Sequence, residues 1–313
     1  MIAMSDKLRP VLLTGVNGQV GGQILPLLQQ MGAVVAPTRG ELDLSDAGEI
    51  RSFVRALEPR WIINAAAYTA VDKAEQDRAL AFAINAEAPR ILGEEAVKIG
   101  APVLHFSTDY VFAGDGSTPW TETDPTGPLG VYGASKLAGE QGLAASGARH
   151  LIFRTSWVYG ASGNNFLRTI LRLAREREEL KIVADQHGAP TWSRDLANLA
   201  VHMVQRAEES ARLQGVALEM AVRPLCGIYH ACNAGYTTWF GFAEEFVRLA
   251  RLAEPEQRFA RLVPIQTAEY PTPAARPANS RLSCEKLRRE LGFTMPAWQE
   301  SVAAVMAEMH ARK

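Results

Sequence analysis

The sequence predicts an α/β protein whose core is a doubly wound parallel sheet, with a smaller C-terminal domain that binds the substrate. Short apolar segments alternate with helical ones as far as residue 160, a pattern typical of strands buried on both faces. A glycine-rich turn follows the first apolar segment, and polar residues follow later ones. We therefore predict a nucleotide-binding domain over residues 1–160, to which residues 194–233 return, and a substrate domain built mainly from residues 161–313.

Length and composition describe an ordinary globular protein with no nucleic-acid or membrane partner. The chain has 313 residues, of which 47% are hydrophobic and 21% are charged, and its formal net charge is −1. A chain of this length buries a substantial core, and its nearly neutral charge does not favour binding to polyanions. Its three cysteines lack CxxC spacing, and Met1–Pro10 lacks the apolar segment of a signal peptide. We therefore expect a cytoplasmic protein.

The first predicted strand, Pro10–Thr14, runs into a turn with the spacing GxxGxxG and then into a helix over Gln23–Met31. Glycines in such a turn let the backbone bend tightly and approach a pyrophosphate, which binds at the helix N-terminus where free N–H groups favour negative charge. The spacing alone is a weak signal, and its position after the first strand strengthens it. The turn predicts a Rossmann-like dinucleotide site formed by Gly15, Gly18, Gln19, Val20 and Gly21.

The second predicted strand, Ala33–Pro37, is followed by Arg39 at a place where NAD-binding proteins usually carry an acid. A guanidinium offers a fork of hydrogen-bond donors to a 2′-phosphate. We therefore predict NADP(H) as the cofactor and leave NAD(H) open as an alternative. Asp43 and Leu44, which follow in the chain, are predicted to flank the adenine.

The third predicted strand, from Trp61 to Asn64, runs into small residues, and an amphipathic helix over about 78–99 follows it. Small side chains at the end of a strand let a cofactor lie close to the backbone, because no bulky group separates the two. Ala67, Tyr68 and Thr69 are therefore predicted to line the ribose and the pyrophosphate.

A polar cluster is predicted where the fourth strand, Pro102–Ser107, ends in Thr108 and Asp109. Tyr132 and Lys136 are four residues apart, which places them on one face of a helix. A lysine ammonium beside a phenol favours the phenolate and so lowers the pKa of the phenol. The four side chains together could bind and protonate a carbonyl oxygen. In the alternative interpretation Tyr132 packs in a core and Lys136 is solvated, and the neighbouring motifs argue against it.

After a fifth strand, His150–Trp157, the regular alternation ends. Further helices are predicted over 167–180, from about 238, and over 297–311, with one more strand over 226–233. The loops 185–192 and 270–282 contain Asn, Gln, Arg and Trp residues. Side chains of these types are what a polar anionic ligand requires, although ordinary loops also contain them.

Seven segments of the chain resemble motifs of one enzyme family. They are Gly18–Gly21, Ala65–Glu75, Ser107–Phe112, Val131–Lys136, Phe153–Tyr159, Gly163–Phe166 and Pro271–Leu282. Together they are similar to the dTDP-4-dehydrorhamnose reductases, which are extended short-chain dehydrogenases/reductases. The resemblance covers nearly the whole chain. It implies reduction of the C4 ketone of dTDP-4-dehydro-L-rhamnose by a reduced nicotinamide, which gives dTDP-L-rhamnose.

The resemblance also implies a role for each residue of the polar cluster. Tyr132 would donate a proton to the C4 oxygen, and Lys136 would bind the nicotinamide ribose. Thr108 would bond the carbonyl oxygen, and Asp109 would orient a sugar hydroxyl. Four further residues are expected to contact the sugar or the diphosphate, namely Trp157, Asn165, Gln186 and Arg281.

Related functions stay open as alternatives. Sugar-nucleotide 4,6-dehydratases usually carry Glu after Thr-Asp, and Tyr110 at that position argues against dehydration. A 4-epimerase uses the same Tyr-Lys pair with NAD, and the regulatory subunit of methionine adenosyltransferase has many of these motifs without catalysis. Some reductases of the family dimerise through a metal held by carboxylates, where this sequence has Arg194 and Gln299. We predict no metal site, leave a need for a divalent ion open, and expect a monomer or a homodimer.

Overall fold

The computed structural model describes residues 9–311 and builds them from short strands and longer helices. The strands are β1 (Val11–Thr14), β2 (Val34–Val35), β3 (Trp61–Asn64), β4 (Val103–Thr108), β5 (His150–Thr155), β6 (Val158–Tyr159), β7 (Glu179–Val183), β8 (His187–Gly188), β9 (Thr191–Trp192), β10 (Gly227–His230), β11 (Thr237–Thr238), β12 (Arg261–Ile265) and β13 (Asn279–Ser280). The helices are α1 (Gln19–Gln29), α2 (Ala47–Leu57), α3 (Val71–Ala74), α4 (Arg78–Phe82), α5 (Ala88–Ile99), α6 (Val131–Ala145), α7 (Phe166–Glu176), α8 (Ser193–Gln214), α9 (Leu218–Val222), α10 (Trp239–Ala253), α11 (Glu285–Leu291) and α12 (Trp298–Ala311). Among these helices, none combines the length and the apolar character needed to cross a bilayer.

The central sheet has the strand order β2-β1-β3-β4-β5-β10, and all of its neighbouring strands are parallel. The chain adds β2 on one side of β1 and every later strand on the other side, so the direction of winding reverses at β1. At such a switch point a crevice opens above the carboxyl ends of the strands, and ligands bind there. The predicted doubly wound parallel sheet is therefore confirmed.

Alternating side chains of the strands enter two separate cores, one on each face of the sheet. On one face, Leu13 packs with Ile24 of α1 and with residues of α8. On the other face, Leu12 packs with Ile50 of α2 and with residues of α5 and α6. Because both faces are covered, the strands are nearly continuous apolar runs, which is why they are readable in the sequence.

The predicted helix over about 78–99 is not one α-helix. A π-helical turn, Ala83–Glu87, separates α4 from α5. Within this turn the side chain of Asn85 accepts from the backbone N–H of Tyr68 at 2.8 Å and donates to the backbone oxygen of Tyr68 at 3.0 Å. Gly139 of α6 lies against the Asn85 carbonyl, and a Cβ there would come within 2.0 Å of that oxygen. The π-helical turn thus connects the segment after β3 to α6. These tertiary contacts account for the break in the helix, and the periodicity of the sequence does not reveal them.

A third core forms among elements that come late in the chain. Helices α7, α10 and α12 enclose it, with side chains that include Leu171, Phe242 and Val302. Beside it lie the parallel pair β7–β12 and a small sheet of order β11-β8-β13. The sequence predicts a helix to about residue 180, but α7 ends at Glu176 and β7 follows. Late segments also return to the central sheet, since β10 pairs with β5 and α11 packs Leu287 into the first core.

Candidate active site

A cavity of about 770 Å³ lies above the carboxyl ends of β1, β3, β4 and β5. Thr108 and Asp109 enter it from the end of β4, and Tyr132 and Lys136 enter it from α6. The structure therefore brings together the four residues of the predicted polar cluster. Residues that are distant in the sequence meet here because parallel strands end at the same edge of the sheet.

The first turn of α6 packs directly on the loop that follows β4. Thr108 begins this loop by accepting a hydrogen bond from the Tyr110 N–H at 3.3 Å. Gly133 makes the close approach of α6 possible, since a Cβ at this position would lie 2.2 Å from the carbonyl oxygen of Tyr110. The ring of Tyr110 meets the ring of Tyr132 edge-on, with centroids 5.4 Å apart. Packing without a side chain at Gly133 thus places the phenol of Tyr132 beside Thr108.

The pKa of Tyr132 is raised above the ordinary value for a phenol, and burial is the main cause. Hydrogen bonding with Thr108 offsets part of this rise, while the nearby Asp109 adds to it. The expectation that Lys136 would lower the pKa of Tyr132 is therefore wrong. Burial also lowers the pKa of Lys136 to about 8, against the opposing attraction of Glu140. At neutral pH Tyr132 is a protonated phenol, which is the form that donates a proton.

Asp109 is buried, and the hydroxyls of Ser280 and Thr108 lie close enough to its carboxylate to offset part of the effect of burial on its pKa. Its Oδ1 accepts from the Thr108 hydroxyl at 3.0 Å, and among the described residues its Oδ2 has no hydrogen-bond partner. Burial raises the pKa of this carboxyl to about 6. The hydroxyls of Ser107 and Thr155, which also line the cavity, likewise have no partner within residues 9–311. Buried polar atoms normally have partners, so this cluster is prepared for a polar ligand.

A second cavity, of about 340 Å³, continues from the first around the glycine turn. Both cavities are lined by Gly15, Gly18, Ala67 and Thr69. Among the residues predicted to bind the cofactor, the smaller cavity is also lined by Arg39, Asp43, Leu44 and Tyr68, and the larger one by Gln19 and Val20. Gly21 lines neither and serves packing instead, because a Cβ there would lie 2.2 Å from the oxygen of Gly15.

The glycine turn provides a backbone cradle at the start of α1. Gly15 has a φ of +75°, and a Cβ at this position would lie 2.4 Å from the backbone nitrogen of Ala66. Gly18 is the N-cap of α1, and no side chain caps the helix there. The first N–H groups of an uncapped helix are available to an anion, and the helix dipole favours negative charge at this end.

The four predicted substrate residues lie in two different places. Trp157 and Asn165 line the larger cavity, whereas Gln186 and Arg281 do not line it. Asn165 caps α7 by accepting from the Arg168 N–H at 3.1 Å. Gln186 is buried and accepts from the indole N–H of Trp239 at 3.1 Å. Arg281 donates through Nε to the side-chain oxygen of Asn279 at 2.8 Å.

Comparison with known proteins gives one consistent result. The family model described as RmlD substrate binding domain matches residues 9–311. A dTDP-4-dehydrorhamnose reductase of Burkholderia thailandensis is 45% identical over 301 residues, covering 96% of this chain and 98% of the relative. The chain belongs to the dTDP-4-dehydrorhamnose reductase family.

Solved structures of relatives have the same fold. The dTDP-4-dehydrorhamnose reductase of Clostridium acetobutylicum superposes with a TM-score of 0.85 at 34% identity, covering 96% of this chain and 99% of that one. The enzyme of Bacillus anthracis, solved in complex with NADP, superposes with a TM-score of 0.83 at 35% identity, with the same coverage. The family predicted from the sequence motifs is therefore confirmed.

The sequence interpretation of this family member missed Trp239, which also lines the larger cavity. Its indole stacks on that of Trp157, with ring centroids 3.8 Å apart and an interplanar angle of 15°. Trp157 has a φ of +48°, which is rare for a residue with a bulky side chain. Gly188 leaves room for this ring, since a Cβ there would lie 2.5 Å from Cε2 of Trp157. Nothing near Trp239 in the sequence signals this partnership.

Arg194, which stands where the resemblance implies a metal-binding carboxylate, makes contacts of its own. Its guanidinium pairs with Glu308 at 2.8 Å and lies over the ring of Trp192. Over residues 9–311, no three His, Cys, Asp or Glu side chains lie close enough together to hold a metal ion. The oligomeric state stays a prediction.

Proposed function

We propose that this protein catalyses the NADPH-dependent reduction of the C4 ketone of dTDP-4-dehydro-L-rhamnose to dTDP-L-rhamnose. One observation carries the proposal: Thr108, Asp109, Tyr132 and Lys136 converge in a cavity that is continuous with the cradle of the glycine turn. The names of the relatives support the same activity. A cytoplasmic location and the nucleotide-sugar partner belong to this proposal.

The glycine turn and its surroundings fit a dinucleotide phosphate. The uncapped N-terminus of α1 and the cradle at Gly15 suit the pyrophosphate, because there is no side chain to keep it away from the backbone. Arg39 is exposed at the rim of the smaller cavity, where its guanidinium would bind the 2′-phosphate. Asp43 is less suited to bind a ribose, since its Oδ1 already accepts from the N–H and the hydroxyl of Ser45 at 2.9 and 2.7 Å.

The chemistry divides between the cofactor and the protein. Bound NADPH supplies the hydride. Tyr132, a protonated phenol at neutral pH, donates its proton to the C4 oxygen as negative charge develops there. Lys136 stabilises the resulting tyrosinate, since its buried ammonium lines the same cavity. Thr108 lies next to the phenol and would share in bonding the carbonyl oxygen.

The residues around this centre would hold the sugar nucleotide. The Oδ2 atom of Asp109, which has no partner within the described chain, is available to accept from a sugar hydroxyl. The stacked indoles of Trp157 and Trp239 give the larger cavity an aromatic wall, and such flat apolar surfaces pack well against sugar faces. Gln186 would act through Trp239, whose indole N–H it accepts, rather than by touching the substrate. Contacts of Asn165 and Arg281 with the substrate stay predictions.

The test is an assay with purified protein, NADPH and dTDP-4-dehydro-L-rhamnose. NADPH absorbance should fall only when the sugar nucleotide is present, and mass spectrometry should show a product two mass units heavier that NMR identifies as dTDP-L-rhamnose. A 4-epimerase would convert sugar nucleotides without consuming NADPH. A regulatory subunit would bind NADPH without oxidising it and would bind a methionine adenosyltransferase. Either of these results would overturn the proposal.

A further inference from the structure

The ammonium group of Lys136 has contacts that the mechanism above does not use. Lys136 is 1% exposed, and its Nζ donates to the backbone oxygen of Phe106 at 2.6 Å. The same Nζ lies 3.2 Å from Nε2 of His105, a fully buried imidazole on β4. A lysine ammonium has three N–H donors, and a buried charge is tolerated only where its donors are satisfied. Two donors are thus directed to protein acceptors, which leaves the third for the cavity.

His105 belongs to a row of buried polar residues on three adjacent strands. Thr14 of β1 is in register with Asn64 of β3, which is in register with His105 of β4. The Thr14 hydroxyl donates to Oδ1 of Asn64 at 2.6 Å, and the amide of Asn64 lies 3.1 Å from Nδ1 of His105. All three residues are at most 2% exposed. The row joins Lys136 at one end to the residue before the glycine turn at the other.

The charge on Lys136 determines which nitrogen of His105 carries the proton. An ammonium has no lone pair, so Nε2 must accept and Nδ1 must carry the proton. Burial and the neighbouring Lys136 hold the pKa of His105 well below its usual range, so the ring is neutral. Nδ1 then donates to Asn64, whose amide presents its oxygen to the ring after exchange of its oxygen and nitrogen atoms. In this arrangement the Asn64 NH2 group faces the Thr14 hydroxyl, which then accepts from Asn64 instead of donating to it.

We propose that His105 is a positioning residue that orients the ammonium of Lys136 toward the cofactor ribose and Tyr132. The proposal rests on the proposed function, because that function requires the third N–H of Lys136 in the cavity. The side chain of Lys136 is a flexible chain of four carbons. With the backbone oxygen of Phe106 as its only acceptor, the ammonium could turn about that single hydrogen bond. The second acceptor, fixed by Asn64 and Thr14, removes this freedom.

Three substitutions separate the two contacts of the imidazole. His105→Gln places a carboxamide near the position of Nε2 and can still accept from Lys136. His105→Asn places it near the position of Nδ1 and reaches only Asn64. His105→Leu removes both contacts. We expect the Leu and Asn variants to lose at least about tenfold in kcat, the factor expected for losing a hydrogen bond to a charged group, and the Gln variant to recover most of the rate.

The pH profile gives a readout that a merely structural role would not change. Charged or titratable groups near the pair are Glu140 on α6 and His150 on β5. Removal of an acceptor destabilises the charged form of Lys136, so its pKa falls further below about 8. The alkaline limb of kcat should therefore move to lower pH in the Leu variant and return in the Gln variant. A Leu variant with wild-type kcat and an unshifted limb would overturn the proposal.

Two controls separate positioning from folding and from the choice of substrate. His230→Leu removes another fully buried imidazole, one that contacts Trp120 and not Lys136, and should change kcat much less. NADPH affinity is measured by fluorescence titration without substrate. It should fall in the Asn and Leu variants, and the Gln variant should retain most of it. The proposal would be overturned if the Gln and Asn variants had the same melting temperature, the same NADPH affinity and the same kcat. Failure of the wild type to reduce the sugar would instead refute only the proposed function.

Discussion

The floor of the cleft and its aromatic wall are built in different ways. The floor consists of the glycine turn, the end of β4 and the start of α6, and short-range packing such as that of Gly133 on Tyr110 fixes it. The wall consists of Trp157 and Trp239, which are held by side-chain contacts between distant segments, including the Gln186 bond. A floor fixed by backbone contacts suits chemistry that requires exact distances, and a wall of stacked rings suits recognition of the substrate's shape.

The largest expected effect is a loss of kcat when the hydroxyl of Tyr132, on the floor of the cleft, is removed. Tyr132→Phe should lower kcat by about 10²- to 10⁴-fold, the usual contribution of a positioned acid, and leave the dissociation constant for NADPH nearly unchanged. Steady-state kinetics and fluorescence titration measure the two quantities, with Tyr270→Phe as an exposed control. An unchanged kcat would remove Tyr132 from the role of acid.

The next largest effect is expected at Asp109, where substitution should raise the stability of the protein and lower its activity. Its folded pKa of about 6 exceeds the ordinary 3.8, so the folded state holds its proton more tightly and stability falls as pH rises from about 4 to 6. Asp109→Asn should therefore raise the free energy of unfolding above about pH 6, by at most about 3 kcal/mol, while it lowers activity. Urea unfolding at about pH 5 and pH 7.5 measures this, with the exposed Asp115→Asn as control. A gain independent of pH would show that the carboxyl does not titrate in this range.

A smaller effect is expected at the wall. Trp239→Ala should raise KM for the sugar nucleotide by about tenfold, since stacked rings contribute roughly 0.5–1.5 kcal/mol beyond their buried area, and affect NADPH binding little. Trp239→Phe retains a ring and should have an intermediate KM. A double-mutant cycle with Trp157→Ala measures the coupling of the two rings. Additive losses would show that the wall does not act as a unit.

The smallest effect is expected at Arg39, at the rim of the smaller cavity. Arg39→Ala should weaken NADPH binding by up to about tenfold and leave NADH binding nearly unchanged, because only NADPH carries the 2′-phosphate. Arg39 is exposed, so added salt should reduce the difference between the wild type and the variant. Titration with both nucleotides measures the effect. Equal losses for the two would argue that Arg39 does not contact the 2′-phosphate.

The sequence was most informative about the floor, because its determinants are local. The spacing of the glycines and the Tyr-Lys pair on one helical face are properties of neighbouring residues, and the structure places Tyr132 and Lys136 in one cavity. The direction of the Tyr132 pKa shift was predicted wrongly because burial is a tertiary property that outweighs the attraction of a nearby charge. The resemblance to a family added the substrate, which spacing alone does not give.

Most of the wall was not predictable, for a related reason. Trp239 meets Trp157 only after the chain has folded, and neither residue has neighbours that reveal the other. His105 belongs to none of the motifs found in the sequence, yet strand register places it beside Asn64, and α6 brings Lys136 to it. The short strands β7 and β12 pair with each other across a long sequence separation, so local patterns did not separate β7 from the preceding helix.

The late position of β10 in the chain constrains how the protein is made. While the ribosome synthesises residues up to 226, β5 is an open edge of the sheet, and unpaired edges invite association with other chains. The core on the α1 face also lacks Leu287 until α11 has been synthesised. A fragment that ends at residue 160 would keep the glycine turn and Tyr132, yet it would leave the edge of β5 unpaired and able to associate with other chains. The central sheet is therefore complete only once β10 has been synthesised, and the core on the α1 face only once α11 has been synthesised.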